Sequence, residues 1–365
     1  MNRREFTKNT ALSLLAFKTI PVGAMSTHKT SSLNNNQKVP LGICNHSLRS
    51  LKLNADQFLD YAIVQNLDSV LLNTFHPFKS LETNYLVNLQ KKAKVNAISI
   101  YVGVGSICET SKAFSNKYGD AETLLKEGIR VASKVGSPTV GCNIGSINDR
   151  YTDGSIEAKM ESVIKVMKKV APLAQDSGIK FAFENHAGDM RSSELLALID
   201  ETGTDICGAV FDPANALWVM EDPMEALKIL GSNILCTSIR DVAIWETETG
   251  ATFQCKAIGE GFMDYKLYAK TISELCPNVP LHVETISNSP ITIPYLTPEF
   301  WQGFPKLSAK DIVSFLRLVK EGNPETFMKP FTGADKKEFD GMLQKSELLK
   351  SFHFLRKHCN AGLKF

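Results

Sequence analysis

From Pro40 onward the chain alternates short runs of apolar and β-branched residues with longer segments whose apolar positions recur at helical spacing. The short runs are PLGICN (40–45), DSVLLNT (68–74), AISIYVGV (97–104), PTVGCNI (138–144), IKFAFEN (179–185), ICGAVFD (206–212), NILCTSIRD (233–241) and PLHVETI (280–286). Between them lie amphipathic stretches such as ADQFLDYAIVQN, AETLLKEGIRVASKVG, EAKMESVIKVMKKVAPLAQDSG and SSELLALIDETG, several closing on the glycine that a helix C-cap favours. Strands that alternate with helices predict a parallel sheet with right-handed crossovers, and eight such strands close as a (β/α)₈ barrel. A doubly wound open sheet is the alternative. The barrel is preferred because no Gly-x-Gly-x-x-Gly turn follows the first strand, and because polar residues gather at many strand ends instead of one crevice.

The barrel is expected to run over 40–322, ending in the helix KLSAKDIVSFLRLVKEG. Two excursions lengthen it: a hairpin around WETETGATF within 242–260, and a long loop over 287–305. The tail, 323–365, carries a helical stretch over 336–358 that is expected to pack on the barrel exterior. Residues 25–39 are polar, without periodicity, and read as a linker. The first 24 residues place Arg3 and Arg4 before Phe6 and Lys8, then an apolar stretch from Ala11 to Phe17, with Val22-Gly23-Ala24 as a small-residue cleavage site. This segment resembles a twin-arginine export signal, with Thr7 where an apolar residue is usual, and implies a periplasmic or otherwise exported protein. A chance basic N-terminus on a cytoplasmic protein is the alternative.

Composition narrows the function. With 43% apolar residues in 365, a full hydrophobic core is affordable and a disordered or fibrous chain is excluded. The formal charge of +2 supplies no basic field for a phosphate backbone, so nucleic acid is not an expected partner. No apolar run approaches the ~20 residues that span a bilayer as a helix. The eight cysteines are widely spaced with no CxxC pair, several inside strand-like runs, and are expected as buried free thiols.

In a (β/α)₈ barrel the reactive groups sit at the C-terminal ends of strands. On the fifth strand Phe181 and Phe183 suit the layer between strand and helix, which turns Glu184 and His186 toward the axis. The sixth strand ends at Asp212, the seventh offers Ser238 and Arg240 on one face followed by Asp241, and the eighth sets His282 and Glu284 two residues apart. Three acids on one rim demand a compensating cation or shared protons, and a divalent metal is the simplest answer. Oxygen ligands favour Mn²⁺ or Mg²⁺, and an added histidine admits Zn²⁺, Fe²⁺ or Co²⁺.

The order FENH, FDPAN, SIRD, IGEGFMDY and HVE over about 40–321 resembles the sugar phosphate isomerase/epimerase family with its xylose isomerase-like barrel. That resemblance implies one divalent metal held by Glu184, Asp212 and Glu284. The family's His-x-Lys-Asp on strand seven stands here as Ser238-Ile239-Arg240-Asp241, so its histidine ligand is missing, and Asn215 replaces a histidine found in several relatives. His186, His282 or water is expected to complete the coordination.

The activity so implied is metal-assisted proton abstraction next to a sugar carbonyl through an enediolate, with Glu184 or Glu284 as base, giving an epimerase or isomerase. A leaving group β to the carbanion makes the same site a 3-keto-glycoside lyase. A non-catalytic carbohydrate-binding barrel is a third reading, and a hydrolytic zinc nuclease is disfavoured by the missing histidines. His46, His76, Asn143, His186, Arg240 and Lys256 are candidates to bind a sugar or keto-glycoside, and Trp301 to stack on its ring. Assembly into a homo-oligomer is left open.

Overall fold

The computed structural model describes residues 37–286, 289–324 and 333–365; the expected export signal and most of the linker lie outside them. Eight parallel strands carry the architecture: β1 (Leu41–Cys44), β2 (Ser69–Leu72), β3 (Ser99–Ser106), β4 (Thr139–Asn143), β5 (Lys180–Glu184), β6 (Cys207–Phe211), β7 (Ile234–Thr237) and, after an excursion, β10 (Leu281–Val283). They pair in the order β10-β1-β2-β3-β4-β5-β6-β7. Beyond β7, Ile239 closes the ring: its N–H donates to the His282 carbonyl at 2.7 Å, and its own carbonyl accepts from Glu284 N at 2.8 Å. The barrel expected from the alternation is therefore the observed fold.

The helices α1 (Ala55–Val64), α2 (Thr83–Val95), α3 (Ala121–Val135), α4 (Ser155–Ser177), α5 (Ser192–Thr202), α6 (Pro213–Ala216), α7 (Pro223–Leu230), α8 (Tyr265–Leu275) and α9 (Val313–Glu321) follow the strands around the outside. Their starts are written in the sequence. Asn54 caps α1 and forms a reciprocal box with Gln57, and Asp120, Asp222 and Asp264 cap α3, α7 and α8. Gly136 ends α3 in the left-handed region, as the glycine-closed pattern implies.

Period-two alternation sorts the strand residues between two cores. Phe181, Phe183 and Phe211 point outward and are fully buried under the helices, each burial being worth about 1.5–3 kcal/mol. Cys44, Leu71, Tyr101, Ala182, Val210 and Cys236 point inward and plug the barrel. All eight cysteines are free and buried.

The seventh predicted strand, 233–241, divides in two. β7 stops at Thr237, and Asp241 opens a hairpin of β8 (Asp241–Thr247) and β9 (Gly250–Lys256), to which β11 (Ile291–Ile293) adds antiparallel. The physical cause is the Asp241 carboxylate, which accepts from the backbone N–H groups of Val242, Gly259, Gly261 and Met263 and so gathers the returning chain. A long helix, α10 (Gly333–His358), ends the chain. It sits on the turn 45–51 after β1, where Gln344 Nε2 donates to Ser50 Oγ at 2.7 Å and Ser50 N donates to Gln344 Oε1. Val39, placed in the linker by its composition, instead bridges to Ala361 beside this helix. No helix among the described residues is long and apolar enough to cross a membrane.

Candidate functional site

The C-terminal strand ends enclose a cavity of about 300 Å³. Of the candidates read from the sequence, it is lined by His46, Asn143, Glu184, His186, Arg240 and Glu284. Gly103 and Gly141 form part of its floor, where β3 and β4 withhold side chains. Asn73, Asn215, Trp218, Ile286 and Ile291 also line it, adding two amides, an aromatic and two aliphatic side chains.

Five candidates are placed elsewhere. His282 shares its face with Glu284 but sits one layer deeper, fully buried, with its ring against Tyr101 and Nδ1 3.1 Å from the Thr237 carbonyl; it is not a ligand at the rim. His76 lies four residues beyond β2 on an exposed turn, after the chain has left the barrel. Lys256 ends β9 on the hairpin, outside the cavity lining. Trp301 packs on Phe300 with its indole N–H donated to the Tyr295 carbonyl at 2.8 Å, so Trp218 and not Trp301 is the cavity aromatic. Asp212 is wholly buried and does not line the cavity.

Glu184 and His186 line the same cavity, and each shifts the other's titration. Burial pushes the Glu184 carboxyl up to about 7, against the pull of His186, with Glu284 and Asp212 adding to the rise and Arg240 opposing it. Asn215 Nδ2 donates to Glu184 Oε1 at 3.3 Å. Burial alone would lower His186, but Glu184, then Asp189 and the Gly145 carbonyl, raise it above its ordinary value. His186 Nδ1 lies 2.6 Å from that carbonyl, and its backbone N–H donates to Asp189 Oδ1, which orients the ring. Gly188, at φ 84°, makes the turn that follows.

Glu284 is displaced the other way. Burial favours its neutral form, yet Arg240, His46 and the Ser238 hydrogen bond outweigh it and hold the carboxylate below its usual range. Ser238 Oγ donates to Glu284 Oε2 at 3.0 Å, and the Arg240 guanidinium stands 3.2 Å from the same oxygen. His46 is lowered by burial, with Glu284 opposing, so it is neutral near pH 7.

These side chains do not fit the metal centre that the resemblance implies. Asp212 Oδ1 accepts from Ala214 N and Asn215 N, and Oδ2 accepts from Asn215 Nδ2 and from Nε and Nη2 of Arg240, so the lone pairs a metal needs are taken. Of the substitute ligands expected, His282 faces the barrel interior, whereas His186 lines the cavity with Nδ1 held at the Gly145 carbonyl; the Ser238 hydroxyl is spent on Glu284. Among the described residues no group of three or more His, Cys, Asp or Glu is arranged to hold a metal. Two of the three acids, Asp212 and Glu284, are paired instead with Arg240.

Residues 68–317, more than half of the chain, match the family model of the xylose isomerase-like TIM barrel. The chain belongs to that family. Two curated relatives share shorter stretches with this xylose isomerase-like chain. An uncharacterized protein, YihM, of Escherichia coli K12 is 28% identical over 142 residues, 39% of this chain and 41% of its own length. A 3-oxo-isoapionate decarboxylase of Pectobacterium atrosepticum is 22% identical over 128 residues, 34% of this chain and 46% of its own. The matched stretch thus spans less than half of either relative. Among solved structures, D-psicose 3-epimerase with D-tagatose from Clostridium cellulolyticum H10 superposes with TM-score 0.56 at 16% identity, covering 87% of this chain and 99% of that one. The IOLI protein with a bound zinc atom superposes with TM-score 0.53 at 15% identity, covering 76% and 95%. Both likenesses are of fold.

Proposed function

We propose that this xylose isomerase-like barrel is a sugar epimerase or isomerase that moves a proton on and off the carbon beside a carbonyl. The observation that carries the reading is the pair of glutamates with pKa values driven apart in one cavity, Glu184 up to about 7 and Glu284 below its usual range. β5 and β10, which carry them, are separated in the ring by β6 and β7, so the two carboxyl groups approach a bound sugar from different sides. Glu284, ionised, takes the proton; Glu184, protonated near neutral pH and backed by His186, returns one. Return to the opposite face of the same carbon is epimerisation; return to the former carbonyl carbon, with the proton of the adjacent hydroxyl passing to the oxyanion as that hydroxyl becomes the new carbonyl, is isomerisation.

The wall chemistry suits an uncharged keto-sugar. Asn73 and Asn143 offer amides to hydroxyl groups, Trp218 offers a face to ring C–H groups, and Asn143 Oδ1 is buried without a hydrogen-bond partner. Arg240 is the one Lys or Arg among the described lining residues and is already paired with acids, which disfavours a phosphorylated substrate. An exported address, proposed from residues 1–24, agrees with that class and is tested by cell fractionation. A second reading is elimination from a 3-keto-glycoside through the same carbanion, which the likeness to a chain named as a decarboxylase makes worth testing beside the first.

The deciding experiment incubates the protein with a panel of keto-sugars and 3-keto-glycosides in D₂O and follows deuterium at the carbon beside the carbonyl. Exchange or product in the wild type, lost in both Glu184→Gln and Glu284→Gln with the fold retained, supports the reading. Calorimetric binding of a sugar with no exchange across the panel overturns it in favour of a binding barrel.

A further inference from the structure

We infer that Arg240 is a built-in replacement for the metal ion, a fixed guanidinium that holds the substrate's carbonyl oxygen while the proton moves. The inference rests on the function proposed above for the chemistry, but on the side-chain arrangement alone for the absence of a metal requirement.

Arg240 leaves the barrel just beyond the end of β7 and is buried, yet it lines the cavity. Its Nε donates to Asp212 Oδ2 at 3.0 Å, Nη2 donates to the same oxygen, and Nη2 stands 3.2 Å from Glu284 Oε2 and 3.4 Å from Asn215 Oδ1. Its backbone is fixed as well, because Tyr265 OH donates to the Arg240 carbonyl at 2.7 Å. A guanidinium bridging two acids from β6 and β10, the strands on either side of its own, with its base plane set by a saturated Asp212, has one orientation. A dication entering here would have to strip Asp212 of its donors and sit beside a fixed positive charge. The resident cation therefore excludes the visitor.

The same geometry gives the guanidinium a part in the reaction. When Glu284 takes the carbon-bound proton, the C–H pair becomes the C=C bond and the carbonyl π pair moves onto oxygen. The proton neutralises Glu284, so Arg240 loses the attraction of one acid at the moment an oxyanion forms beside it. Arg240 keeps all its protons throughout. Glu184 then gives its proton to carbon, the C=O bond re-forms, and the two glutamates re-equilibrate with solvent.

The test has one arm that needs no turnover. Purified protein is stripped with EDTA, assayed for metal by mass spectrometry, then titrated with Mn²⁺ or Zn²⁺ alone while its melting temperature is followed. The expected wild type carries no stoichiometric metal and shows no metal-dependent rise in melting temperature. Arg240→Ala leaves Glu184, Asp212 and Glu284 without a cation and is expected to gain such a rise. One tight equivalent of metal in the wild type, undiminished by the arginine, overturns the inference whether or not any sugar is turned over. Should Arg240→Ala not fold, Arg240→Lys keeps the charge without the fork. It is expected to bind no metal and to lose about 100-fold or more in exchange rate, mostly in kcat; wild-type-like exchange in this variant overturns the oxyanion role.

Discussion

Asn185 and Asp212 are joined by two reciprocal hydrogen bonds: Asn185 Nδ2 donates to the Asp212 carbonyl at 2.8 Å, and Asp212 N donates to Asn185 Oδ1 at 2.9 Å. A side-chain amide thus continues the β5–β6 ladder one step past its backbone pairing, just beyond Glu184, which lines the cavity. Both partners are buried, so removing the amide strands a donor and an acceptor, each at about 1–3 kcal/mol. Asn185→Ala is expected to cost on the order of 3 kcal/mol in chemical denaturation. Asn185→Asp, nearly isosteric but setting a carboxylate oxygen against the Asp212 carbonyl, is expected to cost no less. A variant of wild-type stability would show that the clamp is dispensable.

Two floor glycines make opposite predictions. A Cβ at Gly103 would stand 2.5 Å from the Asn73 carbonyl oxygen, a backbone atom that cannot step aside, whereas one at Gly141 meets nothing nearer than 3.6 Å. Gly103→Ala is therefore expected to lower the melting temperature by several degrees. Gly141→Val is expected to fold normally but to fill part of the cavity, raising KM or abolishing sugar binding by calorimetry. Equal stability losses in the two variants would contradict this division.

What the sequence made legible follows from its periodicity. Alternation located all eight barrel strands and put Phe181 and Phe183 outside with Glu184 inside, because a strand with one face toward helices and one toward the axis has no other arrangement. Alternation does not report depth: it sets His282 on the same face as Glu284, although His282 lies a layer below, against Tyr101. Nor does it report reach. Arg240 was recognisable as a polar rim residue, but its span across Asp212 and Glu284 depends on how closely β6, β7 and β10 converge where Ile239 closes the ring. Trp218 follows α6 in a short helical turn, and in the sequence it is an aromatic six residues past Asp212 in an apolar run that equally suits a core, so periodicity alone does not mark it as a cavity residue.

The buried histidine has a thermodynamic signature. Burial pushes His282 down to about 3, with the Thr237 carbonyl opposing. The unfolded chain takes up this proton below about 6.5, while the folded chain refuses it until about 3. Between those values the unfolded state binds more protons, so the stability present above pH 6.5 is lost as pH falls. At pH 5 the loss from this residue is about 2 kcal/mol. His282→Gln, in parallel urea melts at pH 7.5 and 5, is expected to be less stable at pH 7.5 but to lose less on acidification. An unchanged pH slope would place the proton uptake elsewhere.

Glu184 predicts a trade between activity and stability. Its folded-state carboxyl, pushed up to about 7, stays protonated where an unfolded glutamate ionises near 4.5, so the folded state binds more protons between those values. Stability from this group is therefore full below 4.5 and falls as pH rises through 7, by about 3 kcal/mol in all. The protonated form is also the one that returns a proton to carbon. Deuterium exchange is accordingly expected to hold up to pH 7 and then to fall about tenfold per unit. Glu184→Gln retains an acceptor for Asn215 Nδ2 without the charge, so it is expected to be more stable than the wild type at pH 8.5 and to lose exchange at every pH. This opposite movement separates a proton donor from a structural acid, whose replacement would lower stability and leave the pH dependence of the residual rate unchanged.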